Sequence, residues 1–282
     1  MRHVVDLVFF SSKKQTITHS TTKWGETLPY IVIDLEFNGR KHYAIHPMEI
    51  LEIGAVKLNE HLQIVDTFQS YINPKYPINQ FALNFCKIDK DVLTTSPPFP
   101  EVIAKFIDFC GVDYKIVAWG STDFFSLFVD CKIHAISSDW LTRLIDMSRF
   151  FDGGLQQVLA AKEIPFVGQH HSALDDALNA CELLKINPDI VKSERYYKPD
   201  HFKLCTGGIK KKISSALNQA VQNNSFLTWQ EFASDKETQD YFDIMNLSES
   251  EIEMVETLFS KFYKQTYGRK TRSKLRSSAP TL

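Results

Sequence analysis

The sequence predicts an α/β domain on a mixed five-stranded sheet flanked by helices, followed by a helical C-terminal region. Three observations predict it. Apolar, β-branched runs begin near residues 30, 51 and 63 with only short polar linkers between them, the pattern of strands joined as a meander. From residue 81 the apolar spacing changes to fours and threes, which is helical. Short buried-strand runs then alternate with helical ones as far as residue 186, an order that places helices on the faces of a partly parallel sheet.

Each element has its own signal. Tyr30-Ile31-Val32-Ile33 is a continuous apolar run, as expected of a strand buried on both faces. Leu51 to Leu58 and Gln63 to Ile72 supply the next two strands. Phe81, Phe85 and Ile88 carry helical spacing, which Pro97, Pro98 and Pro100 end. Val102, Ile103, Phe106, Ile107 and Cys110 make the next helix, with Gly111 at its stop. Ile116 to Trp119 is a short buried strand ended by Gly120, and Ser121 to Val129 reads as the helix that follows. A strand around Leu144-Ile145-Asp146 and helices over Leu155 to Lys162 and Ser172 to Leu184 complete the domain.

Composition sets outer limits. A chain of 282 residues with 44% hydrophobic and 23% charged residues builds a core of ordinary size. A formal net charge of −2 excludes a uniformly basic trap for nucleic acid, so any basic surface is local. The five cysteines are odd in number and include no C-x-x-C pair, which argues against a disulfide framework or a zinc knuckle and for buried thiols in a reducing compartment. The apolar run that ends at Phe10 is interrupted by Asp6 and is too short to span a bilayer. The reading is a soluble, cytoplasmic protein with no membrane contact. Residues 1–28, rich in Ser, Thr and Lys from residue 11, read as a flexible leader, and residues 29–187 as the α/β domain.

Beyond Pro188 the composition changes. Lysines and arginines cluster at 192–212 and again at 261–276, with an acidic stretch at 231–256 between them. Leu227 to Phe242 and Ile252 to Tyr263 carry helical spacing, and Ser248 with Glu251 is a capping-box pattern. Residues 188–282 therefore read as a helical region with a basic tail. Its basic clusters could track a phosphate backbone or be solvated helix faces, and its acidic stretch could dock a protein partner.

The chemistry begins at Asp34-Leu35-Glu36. Two carboxylates two residues apart on a strand point to the same side. At the end of an apolar strand they repel each other unless a cation lies between them, and a hard ion such as Mg²⁺ prefers their oxygens. Taken singly, the other candidates have plain structural readings. Asp123 lies in the first turn of a predicted helix, where an acid complements the dipole. Ser172 and Asp175 form a capping-box pattern, which leaves Asp176 without a capping task. His170 and His171 precede that helix, and a lone histidine in such a place is usually a hydrogen-bonded structural residue.

Taken together, these residues resemble the DEDDh 3′→5′ exonucleases, the RNase T or proofreading-exonuclease family. Ile33-Asp34-Leu35-Glu36 is similar to its first motif, Trp119-Gly120-x-x-Asp123 to its second and His171-x-x-x-x-Asp176 to its third. Glu52 to Val56 resembles its second strand, and residues 30 to 186 are covered in all. The subgroup most resembled is that of the 3′ histone-mRNA exonucleases and their bacterial relatives. The chain departs from the pattern at Phe37-Asn38, at Cys86-Lys87-Ile88, where glycine usually precedes the isoleucine, and over a small insertion at 38–49.

The resemblance implies an RNase H-like fold and hydrolysis at two divalent ions, Mg²⁺ or Mn²⁺. Asp34, Glu36 and Asp176 would hold one ion, Asp34 would bridge to the second, and Asp123 would act partly through water. His171 would be the general base, and Leu35 and Phe37 would face the terminal nucleotides. The implied partner is a nucleic acid with a free 3′ end, and the products are nucleoside 5′-monophosphates. The rival reading is a non-catalytic nucleic-acid-binding or scaffolding protein that keeps the fold. The presence of all four acids and the histidine argues against it. No G-x-S-x-G elbow supports a serine hydrolase.

Overall fold

A computed structural model describes residues 28–39, 48–197 and 206–268. The expected leader, most of the small insertion, Cys205 and the tail beyond residue 268 lie outside the described residues.

The first three strands, β1 (Tyr30–Phe37), β2 (Ile50–Leu58) and β3 (Ile64–Tyr71), form the antiparallel meander. Helices α1 (Gln80–Cys86), α2 (Lys90–Thr95) and α3 (Phe99–Cys110) lead to β4 (Lys115–Ala118), which pairs parallel to β1. Helix α4 (Thr122–Ile133) leads to β5 (Arg143–Asp146), parallel to β4, and α5 (Leu155–Ala161) and α6 (Ala173–Ile186) follow. The sheet has the order β3-β2-β1-β4-β5-β6. Its sixth strand, β6 (Arg195–Tyr196), is an addition to the five expected. It consists of two exposed residues in a basic stretch, and only pairing with β5 makes it a strand, so no apolar signal announces it.

The side-chain alternation of β1 sorts the core into two layers. Ile31, Ile33 and Leu35 face Phe99, Val102, Ile103 and Phe106 of α3 and Phe124, Leu127 and Phe128 of α4. Tyr30 and Val32 face the opposite way, toward Val158 and Leu159 of α5 and Ala177, Ala180 and Leu184 of α6. Each large side chain taken out of water contributes roughly 1.5–3 kcal/mol. Asp34 continues the even-numbered series of β1, so the strand carries it to the side covered by α6.

Two helical runs are broken where one helix was expected. The segment carrying Phe81 to Ile88 turns at Lys87 (φ 56°), and Asp89 caps α2 through Asp91 N–H. Lys87 occupies the left-handed conformation that glycine adopts without cost and that costs lysine about 1–2 kcal/mol. The run from Leu227 to Phe242 divides at Asp235 into α8 (Trp229–Ser234) and α9 (Lys236–Ile244), because Asp235 is extended and accepts from Thr238 N–H as a cap.

A helix at α7 (Thr206–Gln222) was not anticipated, while α10 (Glu249–Thr266) was. Ile209, Ile213 and Leu217 of α7 join Phe232, Phe242, Val255 and Phe259 in one apolar cluster with Val129 and Ile133 of α4. The C-terminal helices are thus packed on the back of α4, and Lys132 Nζ meets Glu251 Oε2 at 2.7 Å across this contact. Glu251 also accepts from Ser248 N–H at 2.8 Å, as its capping pattern predicted. Lys212 is paired with Glu237 at 2.9 Å, which takes one lysine of the 192–212 cluster out of any free basic surface. No helix among the described residues is long and apolar enough to cross a membrane.

Candidate active site

Strand β1 delivers Asp34 and Glu36 to one end of the sheet, and the first turn of α6 delivers Asp176. Oxygens of all three lie within 4.8 Å of one another. The approach depends on Gly54, the β2 residue paired with Asp34. A Cβ at Gly54 would collide with the backbone of Ala173 and Leu174, so only glycine admits the end of α6 to the sheet. Glu52, buried in β2, completes the junction. It accepts from Ala173 N–H at 3.2 Å and from Gln69 Nε2 at 2.7 Å. Its carboxylate therefore serves one of the open backbone donors of α6, a role that the sequence reading did not assign to it.

Asp123 is buried in the first turn of α4, entered through Gly120 in a left-handed turn. It stands outside the three-oxygen cluster, yet its charge is the largest electrostatic influence on Asp34 after burial. The four acids thus converge, with Asp123 one step back.

Burial is the first cause that raises all four carboxyls; repulsion from the neighbouring acids comes second for Asp34 and Asp123, whereas the Cys86 thiol opposes the rise at Glu36 and the His170 and His171 groups oppose it at Asp176. Glu36 is pushed up to about 7 and Asp123 to about 8, and Asp34 and Asp176 move in the same direction. Such a cluster favours a multivalent cation over empty repulsion, and an all-oxygen donor set suits Mg²⁺ or Mn²⁺.

His171 stands beside the acids in a left-handed conformation, φ 62°. That conformation is uncommon for a residue with a side chain and is concentrated at functional sites. It turns the His171 N–H onto Asp176 Oδ2 at 3.1 Å and brings Nδ1 to 3.9 Å from Glu36 Oε1. Burial holds the imidazole below its usual range, with the Asp176 charge opposing in part.

Two readings are corrected by the structure, the Ser172–Asp175 capping box and the structural role of His170. Ser172 makes no side-chain cap on α6. Asp175 instead reaches back to accept from Gln169 N–H at 2.7 Å, and its carboxylate fills the place of a Cβ on Gly168. His170 is not a hydrogen-bonded structural residue. Its ring stacks on Phe166, and neither shielded ring nitrogen has a hydrogen-bond partner among the described residues. Leu35 belongs to the opposite face of β1 from the acids and is 4% exposed within the core. Phe37, beyond a register shift, packs half-buried against the same cluster.

The aromatic surface at the site comes from α1. Phe81 and Phe85 are 75% and 52% exposed, and four residues apart on a helix they share a side. Phe85 also lies against the His171 ring, with centroids 4.1 Å apart. Their spacing marked a helix but could not tell a core face from a binding face. Cys86, the next residue, donates from Sγ to Glu36 Oε2 at 2.9 Å, and burial keeps that thiol protonated. Cys110, Cys131 and Cys181 are free and buried, as expected.

Residues 31–184 match the RNase T family, described as an exonuclease. Among curated proteins, mouse 3′-5′ exoribonuclease 1 is 28% identical over 197 residues, which cover 61% of this chain and 56% of that protein. The DNA polymerase III PolC-type of Clostridium perfringens is 28% identical over 172 residues, 58% of this chain but 12% of the polymerase. The chain therefore spans about half, or far less, of the length of these relatives. Among solved structures, the nuclease domain of 3′hExo, a DEDDh family member bound to rAMP, shares the fold at a TM-score of 0.50 and 22% identity. That likeness covers 60% of this chain and 96% of the domain.

Proposed function

Since the chain belongs to the RNase T exonuclease family, we propose that it is a metal-dependent 3′→5′ exonuclease acting on single-stranded RNA or DNA and releasing nucleoside 5′-monophosphates. The catalytic unit is residues 29–187. The observation that carries the reading is the convergence of Asp34, Glu36 and Asp176 oxygens within 4.8 Å, with His171 alongside.

The donor set fits two divalent ions. Asp34, Glu36 and Asp176 would hold one, and Asp34 would share the other with Asp123, which would act partly through water. Such ions supply Lewis acidity that lowers the pKa of the attacking water and offsets charge on the entering and leaving oxygens. The rest falls to the chain. Glu36 is held in one orientation by the Cys86 thiol on Oε2, which directs Oε1 toward the cluster and His171. With Nδ1 of His171 turned to that carboxylate, Nε2 is the atom that takes the proton from water.

Phe81 and Phe85 bind the terminal bases by stacking, which tolerates any sequence because every base has a π-face. Phe81→Ala is expected to raise KM for a single-stranded oligonucleotide roughly tenfold, since one stacked base is worth about 1–3 kcal/mol. The kcat should move little, because Phe81 is one helical turn away from the Phe85 ring that touches His171. An unchanged KM would remove α1 from substrate binding.

The decisive experiment digests 5′-labelled and 3′-labelled RNA and DNA oligonucleotides with Mg²⁺, Mn²⁺ or EDTA. A ladder shortening from the 3′ end with the ions, monophosphate products and silence in EDTA are expected. Binding of the strand without digestion under any ion would favour the scaffolding reading instead.

A further inference from the structure

His170 takes no part in the mechanism above, and its surroundings are unusual for a spare histidine. Both ring nitrogens are shielded from solvent without a hydrogen-bond partner among the described residues. Its Nδ1 is 3.8 Å from Asp176 Oδ1. That is too long for a hydrogen bond. It is close to the roughly 3.3 Å that separates two ligands of one tetrahedral zinc with bonds of about 2.0–2.1 Å. The neighbouring His171 completes a set in which one donor atom from each of His170, His171 and Asp176 lies within 4.8 Å of the others. Phe166 holds the His170 ring in place, with centroids 4.2 Å apart and planes at 14°.

The geometry points to a second metal site formed by His170, His171 and Asp176, selective for Zn²⁺ or a similar borderline-soft ion, whose occupation switches the nuclease off. Two imidazoles and one carboxylate are a familiar three-ligand set for zinc, whereas Mg²⁺ prefers oxygen alone. The two sites share Asp176, and the nitrogen site also claims His171, so filling it removes the proton acceptor of the reaction. The inhibitory consequence rests on the proposed nuclease function. The binding of the ion does not.

The test uses the full chain and two probes. Co²⁺, added alone, reports nitrogen coordination in a low-symmetry site through its visible absorption, and Zn²⁺ is titrated into a Mg²⁺-supported digestion. His170→Phe keeps the stack on Phe166 and removes both nitrogens, with His170→Gln as the second variant should the first fail to fold. The wild type should give a saturable Co²⁺ band that Zn²⁺ displaces. The His170 variant should lose that band, keep its activity without zinc and need at least tenfold more Zn²⁺ for half-inhibition. An identical Co²⁺ band and an identical inhibition midpoint in wild type and variant would overturn the site and place the ion on Asp34, Glu36 and Asp176. If the wild type digests nothing, the nuclease reading fails, and the Co²⁺ arm still decides whether the site exists.

Discussion

Asp34→Asn is expected to lower kcat/KM by roughly three orders of magnitude, about 4 kcal/mol of barrier, and at the same time to stabilise the metal-free protein at pH 8. Both effects have one cause. Asp34 is the residue on which the charges of Asp123, Asp176, Glu36 and Glu52 all converge. With cations bound, that concentration of charge is the site's function. Without them it is a liability to the folded state. Replacing one oxygen by an amide removes the charge and keeps the shape, so the loss of activity should come with a gain in melting temperature.

The pH dependence has a definite sign. The unfolded chain releases protons from these carboxyls near 4, whereas the folded chain holds the protons of Glu36 and Asp123 to about 7 and 8. Between those limits the native state binds more protons than the unfolded one, so metal-free stability falls as pH rises. Thermal melts in EDTA should therefore drop from pH 5 to pH 8, and added Mg²⁺ or Mn²⁺ should raise the melting temperature more at pH 8 than at pH 5. A wild-type melting temperature independent of both pH and metal would sink the idea, as would an Asp34→Asn variant that melts lower at pH 8.

Much of this was legible in the sequence, for a specific reason. The strand period alone places Asp34 and Glu36 on one side, and the position of Asp176 in the first turn of a helix needs only that helix to pack on the same side. What the sequence could not announce was how the partners reach one another. The Glu52 carboxylate on Ala173 N–H joins residues 121 positions apart, and the Gly54 contact with Ala173 and Leu174 of α6 joins the same two distant segments. The same holds for the Cys86 thiol on Glu36. Phe81 and Phe85 mislead in a different way, because helical spacing records a shared face without saying what that face meets. Helix α7 was legible, since Ile209, Ile213 and Leu217 are spaced by four, but its lysines drew the reading toward charge. The paired histidines show the limit of treating candidates one by one. His170 acquires meaning only once Asp176 is seen 3.8 Å from its ring.

His171→Ala is the second large effect, and it separates proton transfer from metal binding. General-base assistance contributes about 10²–10⁴-fold, so kcat should fall by that factor. The Mg²⁺ concentration for half-activation should stay near the wild-type value, because Asp34, Glu36 and Asp176 remain. The pH profile adds a second signature. Burial lowers the imidazole from its ordinary value of 6.5, and only the neutral ring accepts a proton. Wild-type activity should therefore hold through neutrality and decline only on the acid side of the ordinary imidazole range, while the variant's residual rate loses that limb. The backbone supplies a check on the alternative that His171 merely shapes the loop. Its N–H bond to Asp176 and its left-handed φ belong to the main chain, so His171→Asn, a residue that tolerates this conformation, keeps both while losing the base. If His171→Asn restores the rate, the histidine is structural. If it is as slow as His171→Ala with the same Mg²⁺ requirement, the imidazole is the group that accepts the proton.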